Sequence, residues 1–247
     1  MAGGNSLALL AKGEIPERYR RNIGTIGIDG QKRLLEARVA AVGVGGLGGT
    51  VIELLARQGV GFLRIIDGDS FEPHNLNRQL LATERTLGMN KAVVAAGRVA
   101  KINSEVDAQA VPAVFDEDNA TELLSGMNVI VDALDSINCR LRLCRKAQKL
   151  KILLVHGAIA GLTGQVETIL PTGPGLEKIY SRTGGPAKGI ETVLGNPAAT
   201  PALAAAIQAQ EVVKLLTGRG ELISNKLLYF DTELNFYEFI LYYSMTL

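Results

Sequence analysis

One stretch limits what this chain can fold into more than any other: Arg38–Gly49 reads Arg-Val-Ala-Ala-Val-Gly-Val-Gly-Gly-Leu-Gly-Gly. Val39 to Val42 predicts a short buried strand, and a helical pattern opens at about Gly48 and runs on through Val51, Ile52, Leu54 and Leu55. Between them Gly43, Gly45, Gly46 and Gly48 spell G-x-G-G-x-G. Glycine lets the backbone turn sharply and lets a phosphate reach the peptide N–H groups with no Cβ in the way. The helix that follows aims its positive end and unpaired N–H groups at the same spot. Strand, turn and helix therefore come in the order that a nucleotide-phosphate cradle needs.

The next segments supply groups for that cradle. Gln58-Gly59-Val60-Gly61 stops the first helix, and Phe62–Asp67 reads as the second strand. Asp67 lies about 20 residues beyond the turn, where an acidic residue binds ribose hydroxyls. Up to here a dehydrogenase would fit. The loop Phe71–Leu80 argues otherwise, because it is polar and basic, and Lys91 then opens a helix over Lys91–Lys101. A pyrophosphate is held well by backbone and helix dipole, whereas a triphosphate calls for cationic side chains. Arg78 and Lys91 are the candidates, with Asn75 as a neutral hydrogen-bonding partner. A further apolar run, Asn128–Ala133, leads into Asp135, which a parallel sheet places in the same crevice. A carboxylate beside a triphosphate repels it unless it holds a magnesium ion; the other reading of Asp135 is a cap for the next helix.

Lys151–His156 and Gly164–Leu170 read as paired strands, and Leu227–Asp231 and Asn235–Tyr242 as two closing strands. The expected fold is α/β: a Rossmann-like nucleotide-binding fold with a mostly parallel central sheet and antiparallel C-terminal strands. We expect a single domain over 1–247, with an N-terminal helical segment over 1–37 and a crossover loop over 172–197. The alanine-rich, apolar run Thr200–Leu216 predicts a helix that is buried or forms a dimer. Glu17–Gln31, with Arg18, Arg20 and Arg21 around Tyr19, reads on its own as a solvated first helix.

Composition excludes several classes. A net charge of +1 leaves no electrostatic footprint for nucleic acid or anionic membrane. No apolar stretch reaches the ~18–20 residues of a membrane span, and the first residues do not read as a signal peptide. Cys139 and Cys144 are too few for a disulfide framework or a zinc site, and a cytoplasmic setting fits.

Taken together, the motifs resemble the ThiF/MoeB/HesA family, bacterial relatives of ubiquitin-activating enzymes, from about Arg18 to Phe239. The likeness is carried by Arg18-Tyr19-Arg20-Arg21, Asp29-Gly30-Gln31, the glycine turn, Asp67-Gly68-Asp69, Asn75-Leu76-Asn77-Arg78-Gln79, Lys91, Asp132 to Asp135, His156-Gly157-Ala158 and Gly164-Gln165-Val166. It implies ATP- and magnesium-dependent adenylation of the C-terminal glycine carboxylate of a small ubiquitin-like sulfur carrier ending in Gly-Gly. By family position Asp67 binds ribose; Asn75, Arg78 and Lys91 bind phosphates, with Gln79 beside them; Asp135 binds magnesium. Arg21 would cross a homodimer to the partner's nucleotide.

Two departures qualify the likeness. Family members commonly bind zinc through two Cys-x-x-Cys pairs; this chain reads Pro171-Thr172-Gly173-Pro174-Gly175 at the first position and has no such pair. We expect no zinc, and another anchor for the 172–197 loop. That loop also lacks the cysteine on which relatives form a thioester or persulfide, so the chemistry implied is adenylation alone. Cys139 and Cys144 read as buried structural thiols, and His74 and His156 receive no role. The alternatives are adenylation of a small-molecule carboxylate and a non-catalytic nucleotide-binding scaffold.

Overall fold

A computed structural model describes residues 4–180 and 191–241. The sheet has eight strands in the order β3-β2-β1-β4-β5-β6-β7-β8. The first five are β1 (Arg38–Val42), β2 (Phe62–Ile66), β3 (Asp107–Val111), β4 (Val129–Asp132) and β5 (Leu153–Ala160), and their mutual pairings are parallel. β6 (Thr163–Ile169), β7 (Lys226–Asp231) and β8 (Phe236–Leu241) extend the sheet antiparallel from β5. The fold class is thus the expected one. Tyr242, the last residue of the expected closing strand, and 181–190 of the crossover loop lie outside the described residues.

β1 sits at the switch point. From it the strand order runs through β2 to β3 on one side and through β4 to β5 on the other, so a crevice opens beyond the carboxyl ends of β1 and β4. Register levels those ends: Val42 pairs with Ile66 and with Asp132, and Asp132 pairs with His156. The residues that leave the strands here are Gly43, Asp67 and Ala133.

Side chains alternate across the sheet and bury both faces. Val39, Ala41, Val129, Val131 and Val155 pack beneath α3 (Gly46–Gln58), α4 (Lys91–Ile102) and α8 (Ala199–Thr217). Ala40, Val42, Ile130 and Leu154 face α5 (Ala120–Leu124) and α6 (Ile137–Lys149). The apolar helix α8 is consumed inside the chain, against α2 (Arg20–Glu36), α3, β5 and β6. Its exposed positions are Ala199, Ala202, Ala206 and Gln210, so the buried branch of the expectation is the one realised.

The described N-terminal segment is helical, but the reading of Glu17–Gln31 as a solvated first helix is corrected. A helix, α1 (Gly4–Ala11), comes first, and α2 follows after a single turn at Glu17–Tyr19. α2 bends at Gly27, where φ is 71°. It is not a solvated helix: Ile26, Gly30, Gln31, Leu34 and Leu35 are buried, and Tyr19 is 0% exposed. The basic residues had masked an apolar face spaced at helical intervals. The crossover stretch also has structure, a turn at Leu176–Lys178 and a short helix, α7 (Glu191–Leu194). Among the described residues no helix is long and apolar enough to cross a membrane.

Candidate active site

The glycine turn is built by peptide-on-peptide contact. α3 begins at Gly46, two residues before the expected start. Gly43 has φ +94°, and a Cβ there would stand 2.5 Å from the Ala133 carbonyl oxygen. A Cβ on Gly48 would stand 1.9 Å from the Gly43 carbonyl oxygen, so helix and turn meet with no room for a side chain. Gly46 is moderately tight, 3.1 Å from Pro201. Gly45 is different: a Cβ there would meet nothing closer than Gln79 Nε2, at 3.8 Å. The fold does not require glycine at 45, but close approach of a ligand would.

In front of the turn lies a cavity of about 280 Å³ lined by Gly43, Gly45, Gly46, Asp67, Arg78, Gln79, Lys91 and Asp135. Eight of the eleven site residues named from the sequence therefore share one wall-to-wall space. Asp67 is fixed by two backbone donors, Val44 N–H to Oδ2 at 2.6 Å and Asp69 N–H to Oδ1 at 2.8 Å. Each oxygen keeps a lone pair for a hydroxyl donor. Burial pushes the Asp67 carboxyl above its ordinary value, against the lowering effect of those two N–H groups and of Lys91.

Lys91 is 8% exposed and reaches Asp69 Oδ2 at 3.2 Å. Its helix is capped by Asn90, whose Oδ1 accepts from Val93 N–H at 3.1 Å. Arg78 donates to two uncharged acceptors, the His74 carbonyl at 2.8 Å and Asn77 Oδ1 at 3.0 Å. Two acceptors on the lining, Gln79 Oε1 and Asn196 Oδ1, are buried and lack a hydrogen-bond partner among the described residues. Such atoms are matched by the donors of a polar ligand or by water. Arg78 and Lys91 fit phosphate, the orphan acceptors fit a nucleoside's N–H and O–H groups, and Asp135 is an exposed carboxylate on the rim. Among the described residues no three His, Cys, Asp or Glu side chains come together to hold a metal ion. A magnesium ion on Asp135 would take its remaining ligands from phosphate and water.

Asn75 and Arg21 stand outside this cavity, and Gly48 lies behind its lining residues. Asn75 is 2% exposed, and its Oδ1 accepts from Glu72 N–H at 3.0 Å. It shapes the loop that carries Arg78. Arg21 is exposed near the other end of α3, since Tyr19 packs on Gly59, and Asn22 binds Gln31, which in turn donates to the Gln58 carbonyl.

Four polar lining residues were not picked out as site residues from sequence: Asp69, Cys139, Arg140 and Asn196. Asp69 belongs to the quoted Asp67-Gly68-Asp69 motif, so its signal was present. Cys139 corrects an expectation: it is half-buried on the cavity wall, because the first turn of α6 faces the crevice. Cys144 fits the expectation, buried, with its thiol pushed by burial to about 11. His156, given no role from sequence, is 0% exposed and bonded through Nδ1 to Asp132 Oδ2 at 2.7 Å. A second cavity of about 320 Å³ adjoins the first and shares Arg140 and Ile159 with it.

Comparisons with known proteins agree with this geometry. The ThiF family model matches residues 19–242. The chain is 37% identical over 218 residues to the SAMP-activating enzyme E1 of Haloferax volcanii, covering 87% of this chain and 81% of that one. It is 34% identical over 218 residues to the molybdopterin-synthase adenylyltransferase of Salmonella typhimurium, covering 87% of each. It spans about half the length of the adenylyltransferase and sulfurtransferase MOCS3 relatives it matches. Among solved structures, that of E. coli MccB with ATP superposes with a TM-score of 0.77 at 22% identity, covering 91% of this chain and 71% of that one. At that identity the likeness speaks for the fold.

Proposed function

Because the chain belongs to the ThiF family, we propose that it is an ATP-dependent adenylyltransferase acting on the C-terminal glycine carboxylate of a small ubiquitin-like sulfur carrier. The observation that carries this is the convergence of Arg78, Lys91 and Asp135 with the open Gly45 in one cavity. The two relatives above, one activating SAMP and one serving molybdopterin synthase, support a protein carboxylate as substrate.

In the reaction a carboxylate oxygen attacks the α-phosphorus of ATP. The bond to the bridging oxygen breaks, and pyrophosphate leaves with the electron pair. Both reactants are anions, so the protein's task is to hold them together and balance charge. The N–H groups at the start of α3 and the cations of Arg78 and Lys91 would receive the phosphates, Asp67 would accept from the ribose hydroxyls, and Asp135 would hold magnesium. When bound, magnesium would supply further positive charge to offset the anions.

Arg21 supports a shared site. α3 has 13 residues, about 20 Å at 1.5 Å per residue, and Arg21 sits by its far end. Only a second subunit could bring that guanidinium to a nucleotide at the glycine turn. The test is ATP–pyrophosphate exchange with candidate carriers ending in Gly-Gly. Exchange with a small carboxylate and with no carrier would replace the protein substrate; nucleotide binding with no exchange for any carboxylate would leave a scaffold. Mixing inactive Arg21→Ala and Asp135→Ala proteins should restore about a quarter of wild-type activity, since half the dimers are mixed and each has one intact site. No recovery after verified subunit exchange would remove Arg21 from the partner's site.

A further inference from the structure

A closed ring of hydrogen bonds surrounds the turn that carries Asp135. Leu134 is gripped from both sides: its N–H donates to Asp132 Oδ1 at 3.1 Å, and its carbonyl accepts from Arg140 Nε at 2.9 Å and Nη2 at 2.6 Å. Asp132 Oδ2 accepts from His156 Nδ1–H at 2.7 Å. The Tyr180 hydroxyl then donates to His156 Nε2 at 3.0 Å and accepts from Arg140 Nη1 at 2.9 Å, which closes the ring. Gln165 Nε2 donates to the same hydroxyl at 2.9 Å, from outside the ring. One proton assignment satisfies every bond: neutral His156 with its hydrogen on Nδ1, donating to Asp132 and accepting from Tyr180. Burial, which lowers the His156 proton affinity, agrees with it.

Tyr180 is the only member that comes from the stretch after β6. That stretch is tied to the fold at several points. Leu176 is 0% exposed, Gln148 Nε2 donates to the Gly173 carbonyl at 2.9 Å, and Arg145 pairs with Glu177 at 2.7 Å. These ties end on α6 and fix the chain locally. The Tyr180 hydroxyl connects the stretch to the crevice, through Arg140, which lines both cavities.

We propose that Tyr180 is a positioning residue: by closing this ring it holds the Asp132–Asp135 turn, and with it Asp135, in place at the nucleotide cavity. The consequence for catalysis rests on the adenylation reading; the tie between Tyr180 and the turn does not. A fully satisfied buried ring specifies a single backbone position, whereas a broken one leaves several polar groups seeking partners.

Tyr180→Phe removes the hydroxyl and keeps the ring that packs edge-on to His156. Amide hydrogen exchange should rise at Leu134 by about tenfold beyond any rise shared by the β1 and β4 core amides. In carrier-dependent pyrophosphate exchange, kcat should fall about tenfold while KM for ATP stays within about twofold. Gln165→Met, outside the ring, should leave the local Leu134 excess absent. If Tyr180→Phe does not fold, His156→Leu, which can neither donate to Asp132 nor accept from Tyr180, breaks the same ring at another point and should give the same local excess. In the double variant the two effects should not add. A rise in exchange that is uniform over the core, or no change at Leu134, would overturn the proposal; so would an unchanged kcat with a loosened turn. If the wild-type protein exchanges pyrophosphate with no carboxylate while Leu134 responds as stated, the adenylation reading fails and the positioning of the turn stands.

Discussion

Two regions border the cavity and are built by different means. One is backbone: Gly43 and Gly48 bring the end of β1, the start of α3 and the β4 turn into contact at distances that admit no Cβ. The other is side chain: Asp132, Arg140, His156, Gln165 and Tyr180 come from four secondary-structure elements and the stretch after β6, and meet through hydrogen bonds. Of these, Arg140 lines the cavity itself and the rest stand behind it. A peptide approaching a peptide leaves one residue type possible at a fixed spacing. A hydrogen-bonded ring can be built from many residue sets at many spacings. The first region is therefore demanding at each position, and the second demanding only as a whole.

The largest effect should come from breaking the backbone region. Gly48→Ala forces a methyl group to 1.9 Å from the Gly43 carbonyl oxygen. The loss of stability should be on the order of 4 kcal/mol, near the top of single-substitution effects, read from denaturant unfolding. Gly45→Ala separates folding from ligand approach within the same turn. Its nearest neighbour would be 3.8 Å away. Stability should stay within about 1 kcal/mol of wild type while ATP binding weakens at least about tenfold. ATP bound by Gly45→Ala as tightly as by wild type would mean that the phosphates do not pass over this residue.

The next contrast lies along a single helix, α6, which touches both regions. Cys139 is half-buried on the cavity wall, while Cys144 is fully buried beneath Leu176 with its thiol pushed up to about 11. At pH 8 a thiol of that kind is about one part in a thousand thiolate. Iodoacetamide should modify Cys139 at least about a hundredfold faster than Cys144 in the folded protein. ATP with magnesium should slow the Cys139 reaction. Equal labelling of the two thiols, followed by mass spectrometry of the peptides, would show that the α6–Leu176 packing opens in solution.

What could be read in advance follows the same division. Asp67 was legible from its spacing after the glycine turn, since register levels the ends of β1 and β2, and Arg78 and Lys91 were legible as cations in the polar loop and at the helix start that follow. Asn75 was legible as part of the loop but not as its internal brace, since a short polar side chain looks the same in either role. Tyr180 carried no signal, and His156 stood out only within the His156-Gly157-Ala158 motif, with no role: they are separated by 24 residues, and the β4–β5 register and the path of the crossover stretch bring them together. The buried face of α2 was hidden for a plainer reason, charge at the positions between the apolar ones. Cys139 was misjudged because a helix read without its neighbours has no crevice side.

The smallest effect, and the finest test of the side-chain region, is its response to pH. His156 is 0% exposed, and burial holds its imidazole below the ordinary value of 6.5 despite the opposing pull of Asp132. The charged and titratable groups around it are Asp132, Tyr180 and Arg140, and the Arg140 charge lowers it further. As pH falls below 6.5 the unfolded chain takes up a proton at this imidazole and the folded chain does not. Stability therefore declines from that value downward and stops declining on this account only below the folded pKa. One such group contributes at most about 1.4 kcal/mol per pH unit. Between about pH 6.5 and 5, before most carboxylates protonate, the wild-type unfolding free energy should fall more steeply than that of His156→Gln. Glutamine can donate to Asp132 and accept from Tyr180 without titrating, so its curve isolates the imidazole. Parallel curves for the two proteins would mean that His156 gains its proton in the folded state as readily as in the unfolded one, and that the ring around Asp135 is open to water.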